Sequence, residues 1–176
     1  KQITLKKMFG WYLRWRHGKG FGVHSPFAFD FLRSELRAPR GYAYYDYDSL
    51  PESDIYSRDT MRLLYRVLLR LRPQRICIIG CDRALADIVS RACPYARQAS
   101  VTEADMLIVA NEKDAIAAQA QAHLLILPPY GRTKMRLWHS KLRSAQRGMS
   151  FGCRHSRALI FVANPKLPRQ DFDIRF

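Results

Sequence analysis

Apolar residues recur at helical spacing between residues 57 and 73. The stripe consists of Met61, Leu64, Leu68 and Leu71. Residues three and four apart share one side of an α-helix, so this stripe predicts a helix with one buried side. Pro73 is expected to end the helix, because proline cannot donate the backbone hydrogen bond that would continue it.

Other helices are predicted on both sides of this one. Ser25 is a suitable N-cap, and Pro26 suits the first position of a helix over residues 26–37. Residues 83–92 follow an apolar run and a glycine, and they predict a shorter helix. Two further helical patterns cover residues 112–122 and 133–147.

Four short apolar runs predict β-strands. They cover residues 75–80, 106–110, 123–128 and 157–163. Apolar runs without alternation are typical of parallel strands that helices cover on both faces. Residues 172–176 are expected to form a strand that pairs with 157–163. Strands that alternate with helices predict an α/β fold, layered like a nucleotide-binding sheet.

The chain is expected to form one folded unit with an N-terminal extension. Residues 1–54 are interpreted as a helical cap and an aromatic linker, and residues 55–176 as the α/β domain. Apolar and basic residues alternate irregularly over 3–16, which predicts an amphipathic helix that packs on the domain. A contact of this helix with a membrane surface or with nucleic acid is the alternative. No run of about 18 uncharged apolar residues occurs, so we expect a soluble protein.

Basic residues outnumber acidic residues twofold. The chain has 30 Lys and Arg against 15 Asp and Glu, a formal charge of +15, and a sequence pI near 10.2. Residues 1–22 hold six basic residues and no acidic one, and residues 132–176 hold eleven against two. This balance predicts a polyanionic partner, such as RNA, DNA, an anionic membrane surface or an acidic protein.

Ten basic side chains are predicted to bind that partner. They are Lys6, Lys7, Arg14, Arg16, Arg132, Lys134, Arg136, Lys141, Arg143 and Arg147. The last six are predicted to lie on the outer faces of the helix over 133–147. The apolar stripe of this helix runs from Met135 to Met149 at intervals of three and four. A face that is merely solvated is the alternative, because charged outer faces are ordinary.

The cysteines favour a reducing compartment. Cys77, Cys81, Cys93 and Cys153 have neither the close pairs of a zinc site nor the density of a secreted disulfide scaffold. Buried, reduced thiols are therefore expected, and the predicted location is the cytoplasm.

Four stretches together cover nearly the whole chain and share one family pattern. They are GVHSPFAFDFL (22–32), IYSRDTMRLLYRVLLRLRPQRICIIG (55–80), LLILPPYGRTKMRLWHSKL (124–142) and ALIFVANPKLPRQDFDIRF (158–176). In this order they resemble a bacterial group of class I S-adenosylmethionine-dependent methyltransferases. The resemblance implies a Rossmann-like methyltransferase sheet, reduced in size and mostly parallel, with an antiparallel C-terminal strand.

The family's cofactor-binding turn is only partly present. The resemblance implies a glycine-rich turn after the first strand, where missing side chains let the backbone approach the cofactor. Gly80 occupies its first position, but Ala84 stands at the second, and Cys81, Asp82 and Arg83 fill the turn. The arginine would also repel the cationic sulfonium of the cofactor.

Glu103 stands where the resemblance places an acidic residue that binds the ribose hydroxyls. Parallel strands over 98–102 and 106–110 would be joined by only three residues, whereas a parallel crossover usually needs about a dozen. We therefore interpret the usual strand, helix and strand of this region as missing, and Glu103 as a solvated turn residue.

The acidic residues that the family pattern shows after the next two strands are also replaced. The chain has ANEK at 110–113 and PPYG at 128–131, and the prolines can neither bind a metal nor accept a proton. Asn111 and Glu112 are interpreted as the start of a helix. The sequence therefore predicts no catalytic residue, no metal-ligand cluster and no bound cofactor.

These observations favour a methyltransferase-like pseudoenzyme. We expect that it has lost S-adenosylmethionine binding and catalysis, and that it acts as a basic binding or structural module for nucleic acid, RNA above all, or for an acidic partner. The alternative is an active S-adenosylmethionine-dependent methyltransferase with a shortened site. In that case Gly80, Asp82 and Glu103 would be the cofactor contacts.

Overall fold

The computed structural model of the chain describes residues 24–37, 47–80, 82–110, 122–127, 148–152, 156 and 158–174. The helices predicted at 3–16 and 133–147 lie outside these residues, as does nearly all of the one predicted at 112–122. Within the described part, no helix has both the length and the apolar character required to cross a bilayer.

Among the described residues, three α-helices begin directly after a side chain that caps them. Helix α1 (Pro26–Phe31) starts after Ser25, whose hydroxyl accepts a hydrogen bond from the Ala28 amide, and it continues into a π-helical turn over Leu32–Leu36. Helix α2 spans Arg58–Leu71, and helix α3 spans Arg83–Ala92. The helices predicted at 26–37, 57–73 and 83–92 are therefore confirmed.

Helix α2 ends two residues before the proline that the sequence marks as its stop. Arg72 is its C-cap and takes the left-handed conformation, with φ 48° and ψ 53°. A residue that precedes proline is disfavoured in the right-handed helical region, because its amide and Cβ collide with the proline ring. Three members of the predicted apolar stripe, Met61, Leu64 and Leu68, are each at most 1% exposed, whereas Leu71 at the end of the helix is half-buried.

In the described part of the chain, seven strands form one mixed sheet, and with the helices they make an α/β fold. The strands are β1 (Arg75–Ile79), β2 (Arg97–Gln98), β3 (Met106–Val109), β4 (His123–Ile126), β5 (Met149–Phe151), β6 (Leu159–Val162) and β7 (Gln170–Phe172). Their order across the sheet is β2-β1-β3-β4-β6-β5-β7. Strand β6 runs antiparallel to both of its neighbours, and every other pairing is parallel.

The connection between β2 and β3 is shorter than parallel crossovers usually are. Both strands run parallel to β1, on opposite sides of it, and only residues 99–105 join them. This is possible because β2 ends at Gln98 instead of extending to residue 102, and because the chain turns back where the Ala104 amide binds the Ser100 carbonyl. The sequence argument excluded two parallel strands here because it assumed a first strand that continues to residue 102. The shorter strand β2 removes that objection.

The predicted pairing of the two C-terminal strands is wrong. Strand β6 pairs with β4 and β5, whereas the last strand, β7, pairs in parallel with β5. The antiparallel strand is therefore not the C-terminal one. The cause is β5, which begins at Met149, a residue that the sequence pattern assigned to the apolar stripe of a helix.

Two glycines define the ends of β5. Gly148 has φ 105° and Gly152 has φ 136°, conformations that side chains other than hydrogen rarely permit. A Cβ on Gly148 would lie 2.1 Å from the Val162 carbonyl oxygen, and one on Gly152 would lie 2.7 Å from the Leu159 side chain. The backbone of β5 can therefore approach β6 only because these positions carry no side chain.

Alternate residues of the central strands enter two apolar clusters. Ile76, Met106, Ile108 and Leu125 pack with the buried residues of all three helices. Cys77, Leu107, Val109, Leu124 and Ile126 belong to a second cluster on the opposite face. Both faces of the central strands are thus buried, as their unbroken apolar sequence predicts.

We predict that Gly148→Ala destabilises the protein far more than Gly80→Ala does. Gly80 has φ 69°, where an alanine lowers the free energy of unfolding by about 1 to 2 kcal/mol. Gly148 has a less accessible φ, and a Cβ there would also clash with the backbone. We expect Gly148→Ala to cost more than about 3 kcal/mol or to prevent folding. Urea unfolding followed by circular dichroism measures the free energy of unfolding of both variants. An equal decrease in the two variants would contradict the β5–β6 pairing.

Candidate functional site

The carboxyl end of β1 is where folds of this layout place their ligands. Gly80 follows the strand, is exposed, and takes a left-handed conformation with φ 69°. Asp82 then caps α3, because its carboxylate accepts a hydrogen bond from the Leu85 amide at 3.0 Å. Cys81, between them, lies outside the described residues. The predicted strand and helix are therefore present on the two sides of this turn.

The second carboxylate oxygen of Asp82 is bound to another part of the chain. The Ser53 hydroxyl donates to it at 2.5 Å. The same hydroxyl accepts hydrogen bonds from the amides of Ile55 and Tyr56, at 3.1 and 3.0 Å. Asp82 is half-buried, and both of its oxygens have partners from the protein itself.

Residues 47–57, which we call the crossing segment, lie across the carboxyl ends of the central strands. Ser53 contacts the turn after β1, and the Tyr56 hydroxyl donates to the Leu127 carbonyl, just after β4, at 3.1 Å. Strand β3 lies between β1 and β4, so the two contacts are two strand spacings apart, about 10 Å. Residues 54–56 form a bend, and the Tyr56 side chain makes the contact with the end of β4.

The crossing segment is also held along its length. Leu50 and Tyr56 are each 6% exposed and belong to the main apolar cluster. Arg91, on α3, donates to the Ser49 carbonyl at 2.6 Å. A ligand that needed the Asp82 carboxylate would first have to displace bonds that the fold already makes.

The structure does not bring Glu103 together with Gly80 and Asp82. Glu103 is exposed in the turn that returns the chain to the amino end of β3, and its carboxylate accepts a hydrogen bond from the Ser100 hydroxyl at 3.0 Å. Two residues later, the Asp105 carboxylate accepts hydrogen bonds from the Gln74 and Arg75 amides at the amino end of β1. Gly80 follows the opposite end of that strand. Glu103 therefore occupies a turn, as the sequence predicts, and the ribose contact of the alternative has no support in this geometry.

The titratable groups with shifted pKa values lie away from this turn. Burial raises the pKa of the Cys93 thiol to about 11 and also raises the pKa of Cys77. Burial lowers the pKa of His123, whose Nδ1 accepts a hydrogen bond from the Ala163 amide at 3.1 Å. Both thiols are free, and each shift follows from packing in the core, so neither cysteine is activated as a nucleophile. Among the described residues, no three His, Cys, Asp or Glu side chains are grouped to hold a metal.

The ten basic residues predicted to bind a polyanion all lie outside the described residues. The described part itself is almost neutral, with 13 Lys and Arg against 12 Asp and Glu. The remaining positions hold 17 basic residues against three acidic ones. The excess charge of the protein therefore belongs almost entirely to the rest of the chain.

Comparison of the chain with protein-family models, with curated proteins and with solved structures found no match. The family resemblance of the sequence therefore stays a hypothesis.

Sequence reasoning missed Ser53 and Tyr56, because the segment SLPESDIY resembles an ordinary linker and carries no pattern that indicates bonds to residues 29 and 71 positions away.

We predict that Ser53 and Asp82 are energetically coupled. A hydrogen bond to a half-buried carboxylate contributes about 1.5 to 3 kcal/mol, so the cycle of Ser53→Ala, Asp82→Ala and the double variant should show a coupling above about 1 kcal/mol in the free energy of unfolding. The matched control is Ser34 and Asp30, an exposed pair at 3.2 Å on one helical segment. Urea unfolding should give this control a coupling below about 0.5 kcal/mol, and equal couplings would contradict the role of the crossing segment.

Proposed function

We propose that this chain is a methyltransferase-like protein whose sheet is of the Rossmann type. Three parallel strands, β1, β3 and β4, form the centre of the sheet, and α3 connects the first of them to the edge strand β2. A single strand of the described sheet, β6, is antiparallel to its neighbours, although it is neither the edge strand nor the C-terminal strand that the family resemblance implies. Strand order and direction support this proposal, and the ordered sequence landmarks connect it to that family.

The bonds of Asp82 carry the proposal that cofactor binding is lost. The Ser53 hydroxyl and the Leu85 amide both donate to its carboxylate. Within the described part of the turn, Asp82 has the only side chain that could bind the polar groups of a cofactor. Arg83 is exposed at the next position, where its charge opposes a sulfonium cofactor. Glu103, the other predicted contact, lies in a turn at the opposite end of the sheet. The favoured conclusion is a pseudoenzyme without a methyl-transfer step.

We further propose that the protein binds polyanions, with RNA as the favoured class. The support is the charge distribution, because residues 1–23 and 128–147 together hold twelve basic residues and no acidic one. Segments of this composition neutralise phosphates and release their counterions, a sequence-independent source of affinity. An acidic protein, which is also negatively charged, is the alternative partner.

Isothermal titration of the full chain with S-adenosylmethionine tests the loss of the cofactor. We expect no saturable heat and no thermal shift at millimolar ligand, because the Asp82 carboxylate is already bound. Ser53→Ala serves as a matched variant that frees this carboxylate. Micromolar binding by the unaltered chain would overturn the proposal and support an active enzyme.

An active methyltransferase is the second candidate. It is favoured by Gly80, which is exposed and left-handed directly after β1, so a ligand could approach the backbone there. Asp82 would have to exchange Ser53 for the cofactor, and catalysis would consist mainly of positioning the methyl acceptor. The same titration separates the two candidates.

Filter binding to mixed RNA and DNA tests the polyanion proposal. We expect affinity to fall steeply and log-linearly between about 50 and 200 mM salt, by a factor of about 10³ or more if six phosphates are contacted. Heparin, a polyanion without bases, is the control for charge alone. Absence of any complex at low salt would exclude nucleic acid and make an acidic protein the better candidate.

A further inference from the structure

The side chain of His123 holds the chain at the point where β6 ends. His123 is the first residue of β4, and its amide donates to the Asp105 carbonyl, just before β3, at 2.8 Å. Its ring reaches towards the strand on the other side, where Nδ1 accepts a hydrogen bond from the Ala163 amide at 3.1 Å. Ala163 directly follows β6. One residue therefore connects the start of β3 to the end of β6.

The ring supplies an acceptor that the strand pairing does not provide. The backbone pairing of β4 with β6 ends at Leu124 opposite Phe161, so the antiparallel register would bring Ala163 opposite Ala122. Ala122 precedes β4 and lies in a bend. The Ala163 residue is half-buried, and an amide without an acceptor there would lose its contacts with water and gain nothing in return. The His123 ring satisfies this amide.

This hydrogen bond fixes the protonation state of the ring. Neutral imidazole has one nitrogen that accepts and one that donates, whereas both nitrogens of imidazolium donate. Because Nδ1 accepts from Ala163, the hydrogen of the neutral ring is on Nε2. A second proton has to enter at Nδ1, and two donors then face each other. The bond exists only while the ring is neutral.

The bond holds the start of the turn between β6 and β7. Within this turn, the Leu167 amide donates to the Asn164 carbonyl at 3.0 Å, and the Lys166 amide donates to Asn164 Oδ1 at 2.9 Å. These two bonds close the turn on itself, whereas the bond to His123 joins its first residue, Ala163, to the sheet. Loss of the latter bond therefore frees one end of the segment that leads to β7.

The surroundings of the ring act on its charge in opposite directions. Burial lowers the pKa of His123, and the nearby Asp105 carboxylate opposes this effect without overcoming it. Backbone amides at the start of β1 already donate to the same carboxylate. Further titratable or charged residues near Asp105, or in the turn after β6, are Arg75, Cys93, Lys166 and Arg169. The ring is therefore neutral at pH 7 and takes up its second proton only in acid.

We propose that His123 is an acid-sensitive latch, which holds the turn between β6 and β7 to the sheet while its ring is neutral and releases it when the ring is protonated. This inference is independent of the proposed polyanion binding. The pKa of His123 is lower in the folded chain than the value of about 6.5 for an unfolded one. The stability that the latch contributes is therefore complete above about pH 6.5 and is lost as the pH falls from there through the folded value.

The first test compares the unaltered full chain with His123→Asn by urea unfolding at pH 7.5 and pH 5. The asparagine Oδ1 is bonded to Cγ as Nδ1 is, so this variant keeps an acceptor for Ala163 that does not titrate. Between the two pH values, the folding equilibrium constant of the unaltered chain should fall about 5- to 30-fold more than that of the variant, since one proton taken up on unfolding changes it up to tenfold per pH unit. An equal decrease in both chains would overturn the latch.

His24→Asn is the matched control, because it replaces an exposed imidazole in the same way. It should lose stability in acid as the unaltered chain does. If His24→Asn instead removed the loss and His123→Asn kept it, the acid sensitivity would belong to another histidine, and the proposal would be wrong.

The second test reads the bond itself by nitrogen NMR of the unaltered chain, and it needs no variant that folds. At pH 7.5 the His123 ring should carry its hydrogen on Nε2, and the Ala163 amide should be protected from hydrogen exchange. That protection should be lost over the pH range in which the ring nitrogens titrate, while the Leu127 amide, bonded to the Val109 carbonyl at the other end of β4, stays protected. A histidine that is only buried would lower stability in acid without this change at Ala163. A hydrogen on Nδ1 at pH 7.5, or an Ala163 amide that stays protected after the ring is protonated, would overturn the proposal.

Discussion

The hydrogen bond between Ser53 and Asp82 joins the parts of the fold that meet at the carboxyl end of the sheet. One carboxylate oxygen caps α3, and the other holds the crossing segment, so the start of a helix and the path of a distant loop depend on one side chain. The Ser53 hydroxyl in turn orders the amides of Ile55 and Tyr56, which directs the Tyr56 ring to the end of β4. A carboxylate used in this way is a structural group of the fold.

A buried arginine anchors the other end of the crossing segment. Arg66, 8% exposed on α2, donates from Nε to the Glu35 carbonyl at 2.7 Å and from Nη1 to the Tyr47 hydroxyl at 2.9 Å. The π-helical turn contains Glu35 and ends where the Arg37 amide bonds the Leu32 carbonyl, five residues earlier. The Glu35 carbonyl that accepts from Arg66 is therefore part of a turn with wider hydrogen bonding than an α-helix. Tyr47 at one end and Tyr56 at the other hold the crossing segment against α2 and β4, and this explains how an irregular segment can be fixed across the sheet.

Sequence patterns predict the elements of this fold better than the contacts between them. The α2 stripe and the cap at Ser25 are local signals, because each depends on residues three or four apart. Strand β5 escaped prediction, since Met149 fits a helical stripe and the positive φ angles of Gly148 and Gly152 arise only from the approach of β6. The Ser53 and Tyr56 bonds link positions 29 and 71 residues apart, and no local pattern specifies them. At the candidate site, the sequence identified the altered turn after Gly80 but could not show what occupies its carboxylate.

The distribution of charge separates folding from the proposed function. The described residues carry 13 basic and 12 acidic side chains, so the packed sheet and its helices fold without net repulsion. The other residues carry 17 basic and three acidic side chains, the excess charge on which the proposed polyanion binding rests. The proposed polyanion binding would therefore draw on residues other than the described ones, whereas the described residues use a carboxylate of their own, that of Asp82, to close the end of the sheet.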